Sequence, residues 1–157
     1  MTARKGVEKD RMPQSPNQMA LSQKLKKSDK THDPERAAVR AKVKSDDSLK
    51  SARLAAHAAL EKKAEDVVVI DLRELSSYTD FLVICSGGSD RQLDAVAEGV
   101  EAAMKEAGHR TVGTEGGRGG KWLLMDFGDV VTHVFHQDER GYYDLEGLWA
   151  DAPRVTL

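Results

Sequence analysis

The 157-residue sequence predicts an α/β domain with a mixed β-sheet and flanking helices. Two runs rich in β-branched and aromatic residues, 67–72 and 81–86, show no polar alternation, which is typical of strands buried on both faces. Residues 89–107 repeat apolar side chains with the period of a helix that packs on one face. Residues 122–136 contain two further apolar runs around a two-residue turn at 128–129, which indicates a β-hairpin.

Charge divides the chain into two parts. Residues 1–47 carry 12 Lys and Arg against 7 Asp and Glu, a net charge of +5, with three of the four prolines and no aromatic residue. Such a segment buries too little apolar surface to offset its ordering entropy, so we expect a disordered basic extension with a transient helix at 35–44. Residues 48–157 carry 12 basic against 19 acidic side chains, a net charge of −7. We therefore expect one acidic domain at 48–157, which repels nucleic acid and favours a basic partner.

The composition narrows the class of protein further. The sequence contains neither a run of about 18 or more apolar residues, which a membrane span needs, nor the apolar core of a secretory signal. Cys85 is the single cysteine, which excludes an intramolecular disulfide and cysteine-based zinc sites. We therefore expect a cytoplasmic protein that makes no membrane contact.

Two helices and a short strand are predicted around the first two strands. The first helix spans 48–64 and has an apolar stripe made mostly of alanine. The second begins after Ser89, which has capping-box spacing to Gln92, and ends before Gly108. Its apolar face comprises Leu93, Val96, Ala97, Val100, Met104 and Ala107. A strand at 110–114 then completes a strand–helix–strand crossover.

The hairpin turn determines which side chains share a face. With Phe127 opposite Val130 and Trp122 opposite Phe135, successive side chains alternate between two faces. One face carries Trp122, Leu124, Asp126, Val131, His133 and Phe135. The other carries Leu123, Met125, Phe127, Val130, Thr132 and Val134, a set typical of a core. A last helical segment is predicted at 138–149.

Motifs typical of enzymes are incomplete in this sequence. The glycine-rich loop 115–120 lacks the spacing of a phosphate-binding loop and precedes a strand rather than a helix. The turn at 87–88 resembles the opening of a nucleotidyltransferase site, but the neighbouring strands offer no carboxylates one residue apart to hold magnesium. His133 and His136 lie three apart on a strand and point to opposite faces. We predict no catalysis, no cofactor and no metal, with a small magnesium-dependent nucleotidyltransferase as the alternative.

Aromatic and charged side chains concentrate towards the end of the domain, as in a protein-binding surface. Both tryptophans and two of the three tyrosines fall between residues 122 and 149. We predict a partner-binding surface that comprises Trp122, Leu124, Asp126, Asp129, His133, Arg140, Tyr142 and Tyr143. Its acids suit a basic partner, while Trp122 supplies apolar contact. In the alternative interpretation, Trp122 belongs to the core and Asp126 only braces the hairpin.

The hairpin and the segments around it resemble the Iojap family of ribosomal silencing factors. The matching segments are Lys121–Phe135, Asp66–Leu72, Thr79–Phe81, Val83–Gly87, Ser89–Gln92 and Glu115–Gly116, followed by Arg140, Tyr143, Leu145, Glu146, Leu148 and Trp149. The extension and the glycines of 117–120 depart from the family pattern. The resemblance implies a fold related to nucleotidyltransferases without their activity.

The resemblance also implies a function. It indicates a translational repressor that binds the large ribosomal subunit through large-subunit ribosomal protein fourteen and sterically blocks association with the small subunit. Bacterial members damp translation when nutrients fall, and organellar relatives act in ribosome assembly, so a role in large-subunit biogenesis is a second expectation. A homodimer of the free protein and a weak contact of the basic extension with ribosomal RNA are further expectations.

Overall fold

The computed structural model describes residues 34–116 and 119–157, without the side chains of residues 40–45. The disorder predicted for residues 1–33 therefore falls outside the described residues. The described part contains α1 (Pro34–Glu61), β1 (Glu65–Asp71), β2 (Phe81–Gly87), α2 (Asp90–Glu106), β3 (Gly113–Glu115), β4 (Trp122–Asp126), β5 (Val130–His136), α3 (Gln137–Tyr143), α4 (Leu145–Leu148) and β6 (Arg154–Val155). Within these ranges, no helix is long and apolar enough to cross a membrane.

The strands of the described residues form one sheet in the order β3-β4-β5-β2-β1-β6. β2 and β5 pair in parallel while the other pairs are antiparallel, so the predicted mixed sheet is confirmed. The hairpin has the predicted register, with Trp122 opposite Phe135 and Asp126 opposite Val131. Gly128 in its turn has a φ of +91°, a conformation that favours glycine. α2 links β2 to β3, which lies at the edge of the sheet with β4 and β5 between.

The first helix is longer than the sequence predicts. It begins at Pro34 rather than near Ser48, so the predicted start of this helix is wrong and the helix includes the segment 35–44 that was expected to be only transiently helical. Proline is favourable in a first turn, where its missing N–H needs no partner, and the alanine, arginine and lysine residues that follow favour a helix. Inside this helix the Ser48 hydroxyl donates to Asp80 Oδ2 at 2.8 Å, which ties α1 to the residue before β2.

The C-terminal helical segment is broken in two. Asp144 adopts the left-handed conformation, with φ 48° and ψ 55°, so the single segment predicted at 138–149 is instead α3 and α4. The Asp144 carboxylate accepts a hydrogen bond from the Gly147 N–H at 3.0 Å and caps α4. The chain then returns to the sheet, where β6 pairs with β1.

Two apolar cores lie on opposite faces of the sheet. The first face, which we define as the face under α1 and α2, buries Ala52, Ala55, Ala56, Ala59, Val69, Phe81, Val83, Cys85, Leu93, Val96, Val100, Met104, Leu123, Met125, Val130 and Val134. The second face, under the C-terminal segment, buries Ile70, Leu72, Leu82, Ile84, Leu124, Val131, Phe135, Leu145 and Ala152. The predicted separation of the hairpin side chains between two faces is therefore confirmed.

Candidate partner-binding site

Aromatic rings from β4, β5 and α3 lie against one another on the second face. The centroid of the Trp122 ring lies 5.1 Å from that of Phe135 and 4.7 Å from that of Tyr143. Tyr143 in turn meets Tyr142 edge to face at 5.1 Å. The rings meet because Trp122 and Phe135 are paired across the hairpin and α3 follows β5 without a loop. Each such pair stabilises a fold by about 0.5–1.5 kcal/mol beyond the area it buries.

A hydrogen bond to His133 fixes the orientation of the Trp122 ring. The indole N–H donates to Nδ1 of His133 at 2.9 Å, and the two rings lie 5.7 Å apart between centroids. The indole nitrogen only donates, so Nδ1 of His133 is unprotonated. His133 is buried, and burial lowers its pKa to about 3, which keeps the imidazole neutral at physiological pH. His133 therefore positions Trp122 from inside the domain.

Asp126 braces the hairpin turn. Its Oδ1 accepts a hydrogen bond from the Gly128 N–H at 2.7 Å, two residues along the chain. Burial raises the pKa of this carboxyl group, and the nearby negative charge of Asp129 adds to the effect, while the bond from Gly128 opposes it. This local contact corresponds to the alternative interpretation of Asp126.

Three of the predicted surface residues are not at the surface. Leu124, Asp126 and His133 are 2%, 1% and 4% exposed, so the prediction that their side chains are open to a partner is wrong. Leu124 lies in the second core together with Leu145 and Ala152 of the C-terminal segment. Asp126 lies close to Tyr78, which packs against the same core, so burial raises the pKa of that tyrosine and the charge of Asp126 adds to the effect. Sequence periodicity placed the three side chains on the correct face without indicating what covers that face.

Arg140 is held within the domain. Its guanidinium donates to Ser86 Oγ at 2.7 Å and to Glu146 Oε1 at 2.8 Å, and a longer contact of 3.5 Å reaches the Glu65 carbonyl oxygen. Its side chain is 11% exposed. Arg140 thus connects the end of β2, the start of β1 and α4. Its position in the structure is that of a residue that orients α3, rather than one that extends from the surface.

The remaining predicted residues are accessible to different extents. Tyr142 is 52% exposed, while Trp122 and Tyr143 are half-buried with their rings in mutual contact. We call Trp122, Tyr142 and Tyr143 the aromatic surface. Asp129 lies half-buried at the hairpin turn, where its backbone carbonyl accepts hydrogen bonds from the N–H groups of Asp80 and Phe81, each at 3.1 Å.

The C-terminal segment exposes one large apolar side chain on α4. Leu148 on α4 is 45% exposed and was not among the predicted site residues. The break at Asp144 changes which way the residues after it face. The only sequence signal of such a break was the Asp144–Gly147 spacing, which fits a helix cap.

The residues of the nucleotidyltransferase alternative lie far apart. The turn at 87–88 follows β2, beside His136 at the end of β5. Asp126 pairs with Val131, so it lies towards the opposite end of the sheet. In the turn itself, the Ser89 hydroxyl oxygen accepts from the Gln92 N–H at 3.2 Å, as the predicted capping box requires. The Gln92 side chain accepts from the Gly88 N–H at 2.9 Å rather than from the N–H of Ser89, so the reciprocal bond of the box is displaced by one residue. Among the described residues, no group of three His, Cys, Asp or Glu side chains could hold a metal ion.

The fold and the site together define a small α/β domain with an acidic body and a cluster of partly exposed aromatic side chains. Residues 45–157 match the family described as "Ribosomal silencing factor during starvation", and the chain belongs to this family. The predicted Iojap resemblance, with its role in translation regulation, is thereby confirmed. The matched range covers the described sheet and most of α1, and it begins close to the predicted domain boundary.

Curated relatives agree with this assignment. The chain is 46% identical over 105 residues to a protein named ribosomal silencing factor RsfS from Halalkalibacterium halodurans, an alignment that covers 67% of this chain and 90% of the relative. It is 44% identical to the protein of that name from Bacillus subtilis, over 67% of this chain and 89% of the relative. It is 34% identical to the chloroplastic protein Iojap of Zea mays, over 65% of this chain and 44% of that protein.

Solved structures of similar proteins have the same fold. A crystal structure from Chromobacterium violaceum superposes with a TM-score of 0.63 at 39% identity, over 65% of this chain and 85% of that one. A second, from Bacillus halodurans, gives a TM-score of 0.59 at 44% identity, over 67% of this chain and 95% of that one. The α/β fold is therefore shared with proteins of known structure.

Proposed function

We propose that the domain binds the large ribosomal subunit through ribosomal protein fourteen of that subunit, and that the bound domain sterically blocks the small subunit. Membership of the ribosomal silencing factor family supports a ribosomal partner. The observation that carries the choice of a protein partner is an aromatic surface on a domain of net charge −7. Such a charge repels RNA phosphates and attracts a basic protein.

The aromatic surface suits this role because its inner side is rigid. Trp122 is fixed by His133, and α3, which carries Tyr142 and Tyr143, is tied down by Arg140. Preorganised aromatic side chains lose little conformational freedom on binding, and such residues commonly dominate the energy of an interface. A domain that acts by occupying the subunit interface needs no catalytic groups.

A subunit-joining experiment tests the proposal. Isolated large and small subunits are mixed with and without an excess of the full chain, and light scattering follows their association. We expect slower joining, together with co-sedimentation of the chain with large but not small subunits. Equal joining rates at saturating protein contradict a blocking role, and co-sedimentation with small subunits contradicts the choice of partner.

The aromatic surface is tested by removing its most exposed ring. Tyr142→Ala should weaken binding to large subunits at least about tenfold, or about 1.4 kcal/mol, and keep the fold, because the side chain is largely outside the core. The matched control is Leu75→Ala, since Leu75 is 49% exposed in the segment between β1 and β2. If both variants bind large subunits as tightly as the parent chain, the docking surface does not include Tyr142.

The location of the chain, its free form and a contact of its basic extension with RNA complete the proposal. We propose that the chain acts in the cytoplasm when nutrients fall, with large-subunit biogenesis as a second role and a homodimer as its free form. Contact between the basic extension and ribosomal RNA is tested by comparing the full chain with a chain that lacks residues 1–33. Loss of an RNA contact should flatten the salt dependence of binding, whereas an unchanged salt slope contradicts the contact.

A further inference from the structure

A pocket of about 630 Å³ lies beside the end of β1. Two separate stretches of the chain, one at the end of β1 and one just before β6, supply its lining, namely Asp71, Arg73, Glu74, Leu75, Asp151 and Pro153. The Asp71 N–H donates to the Pro153 carbonyl oxygen at 2.8 Å, which holds the two stretches together. The volume falls within the range of about 300–1,000 Å³ that is typical of clefts that bury a small ligand.

The lining combines exposed apolar surface with negative charge. Leu75 is 49% exposed. Of the described lining residues, only Arg73 is basic, and its guanidinium donates twice to the Asp71 carboxylate, at 2.9 and 2.7 Å. Glu74 and Asp151 are exposed, and neither forms an ion pair with a described residue. The pocket therefore suits a segment that carries apolar side chains together with lysine or arginine.

The basic extension of this chain contains one such segment, residues 19–27. Its sequence is Met-Ala-Leu-Ser-Gln-Lys-Leu-Lys-Lys, with a net charge of +3. Leu21 and Leu25 are the only leucines in residues 1–33. They are four positions apart, which places both on one side of the segment whether it is extended or helical. The segment precedes residues 45–157, which match the family, so a contact with it would be a property of this chain.

The middle of α1 passes close to the pocket. The pKa of Arg73 is raised first by its hydrogen bond to Asp71, against the effect of burial, and the charges of Asp80 and Asp46 add to the increase. Asp46 of α1 therefore lies near the guanidinium that lines the pocket. From Asp46 the helix extends about 18 Å to its first residue, Pro34, at about 1.5 Å per residue.

This distance matches the length of chain that precedes α1. Gln23, in the middle of the segment, lies 11 positions before Pro34. A flexible link of that length has a root-mean-square span of roughly 17–20 Å. A link whose average span matches the distance between two sites gives an effective concentration on the order of millimolar. Even a weak site is therefore enough to hold this segment of the same chain.

We propose that residues 19–27 fold back onto this pocket, with Leu21 and Leu25 against Leu75 and the lysines of the segment beside Glu74 and Asp151. The inference goes beyond the proposed binding to the ribosome, and it differs from the disorder expected of the extension only over this segment. Because the contact joins opposite charges at an exposed site, it should weaken as salt is added.

Trypsin cleavage of the full chain tests the contact. The bonds after the three lysines of the segment should be cleaved at least about fivefold more slowly in the parent chain than in Glu74→Gln with Asp151→Asn, which removes two charges without adding trypsin sites. Cleavage after Lys5 corrects for trypsin activity. The matched control is Glu98→Gln with Glu101→Gln, two exposed acids of α2 outside the pocket, which should keep the protection. Equal cleavage in the parent chain and the pocket variant, or the same loss of protection in both pairs of substitutions, contradicts the proposal.

Cross-linking within one molecule locates the segment. Ser22→Cys introduces a thiol next to Leu21, while the native Cys85 is fully buried, so a maleimide benzophenone labels position 22 selectively. After irradiation of the dilute full chain, we expect cross-links to residues 71–75 or 151–153 of the same molecule. A cross-link to a second copy, a cross-link elsewhere on the domain, or no cross-link would each overturn the proposal. Neither experiment uses ribosomal subunits, so failure here leaves the proposed function untouched.

Discussion

The two faces of the sheet are buried by different kinds of residue. Under α1 and α2 the core consists of aliphatic side chains, alanines and single aromatic and thiol groups, and it needs few polar contacts. On the second face, Asp126 and His133 are buried with the apolar side chains, and each makes a specific hydrogen bond. The core of the first face is therefore mainly apolar, whereas the core of the second also contains hydrogen-bonded polar side chains.

This difference suggests that the first face mainly stabilises the fold, whereas the second face also positions the residues proposed for binding. Apolar burial is non-directional, so many sequences of suitable volume could build the first face. A hydrogen bond such as that between Trp122 and His133 requires both partners at a defined distance and angle. The aromatic surface that we propose for docking rests on this second, directional face. Substitutions on the two faces should consequently change stability by different amounts and with a different dependence on pH.

The largest effect is expected when a side chain of the first face is removed. Leu93→Ala deletes a fully buried leucine of α2 and should lower the free energy of unfolding by about 2–5 kcal/mol, measured by urea denaturation. The matched control is Leu60→Ala on α1, because Leu60 is 43% exposed, and it should cost less than about 1 kcal/mol. Similar losses for both variants would show that the first face is not the main source of stability.

A smaller effect is expected when the directional pair is broken. Trp122→Phe removes the donor and leaves Nδ1 of buried His133 without its partner, which should cost about 1–3 kcal/mol. A double-mutant cycle with His133→Leu separates the pair from its surroundings. The double variant should be more stable than the sum of the single losses predicts. Strict additivity would mean that the hydrogen bond contributes nothing.

The second face should also respond to pH. Burial lowers the pKa of His133 from 6.5 to about 3, so a proton binds the unfolded chain more tightly than the folded one. Stability is therefore full above pH 6.5 and is lost progressively between pH 6.5 and 3, by about 1.4 kcal/mol at pH 5.5. Asp126 has the opposite effect on stability as the pH falls. Burial raises its pKa, so its protonation in acid removes an unfavourable buried charge from the folded chain.

The pH effect is measured as the change in unfolding free energy between pH 7.5 and 5.5, a range mostly above carboxyl titration. His133→Gln should flatten this dependence. His57→Gln, which changes an exposed histidine of α1, should leave it as in the parent chain. A parent chain equally stable at both pH values would show that His133 does not remain neutral through burial.

The smallest effect is expected at the thiol of the first face. Burial raises the pKa of Cys85 to about 12, so the folded chain should not react measurably with a thiol reagent at pH 8. Labelling should appear only with unfolding and should accelerate in Leu93→Ala, which opens the same face. Rapid labelling of the folded parent chain would indicate that the first face opens locally.

Much of the fold was predictable because its signals are local. The apolar run at 81–86, the helix cap at Ser89 and the turn at Gly128 each specify a neighbouring backbone conformation, and the structure confirms all three. The start of α1 was predicted wrongly because composition suggested a disordered extension with only a transient helix at 35–44. A helix that is already formed by packing can continue into such a segment when each added residue favours it.

The candidate site was only partly predictable. Hairpin register correctly placed Leu124, Asp126 and His133 on one face, since alternation follows from the strand itself. Whether that face is open depends on residues from other segments, such as Tyr78, Leu145 and Ala152, which meet the second core only in the fold. The roles of Arg140 could not be foreseen for the same reason, because Ser86 and Glu65 are distant in sequence.

The sequence by itself determined the family, the mixed α/β sheet, the acidic charge of the domain and the pairing of the hairpin. These properties depend on composition and on contacts between near neighbours, which a linear pattern records. Only the tertiary structure decided which predicted residues remain accessible, that Arg140 is internal, and that Glu74 and Asp151 border one pocket. The physical reason is that burial and charge grouping arise from the packing of distant segments, and periodicity carries no information about their arrangement.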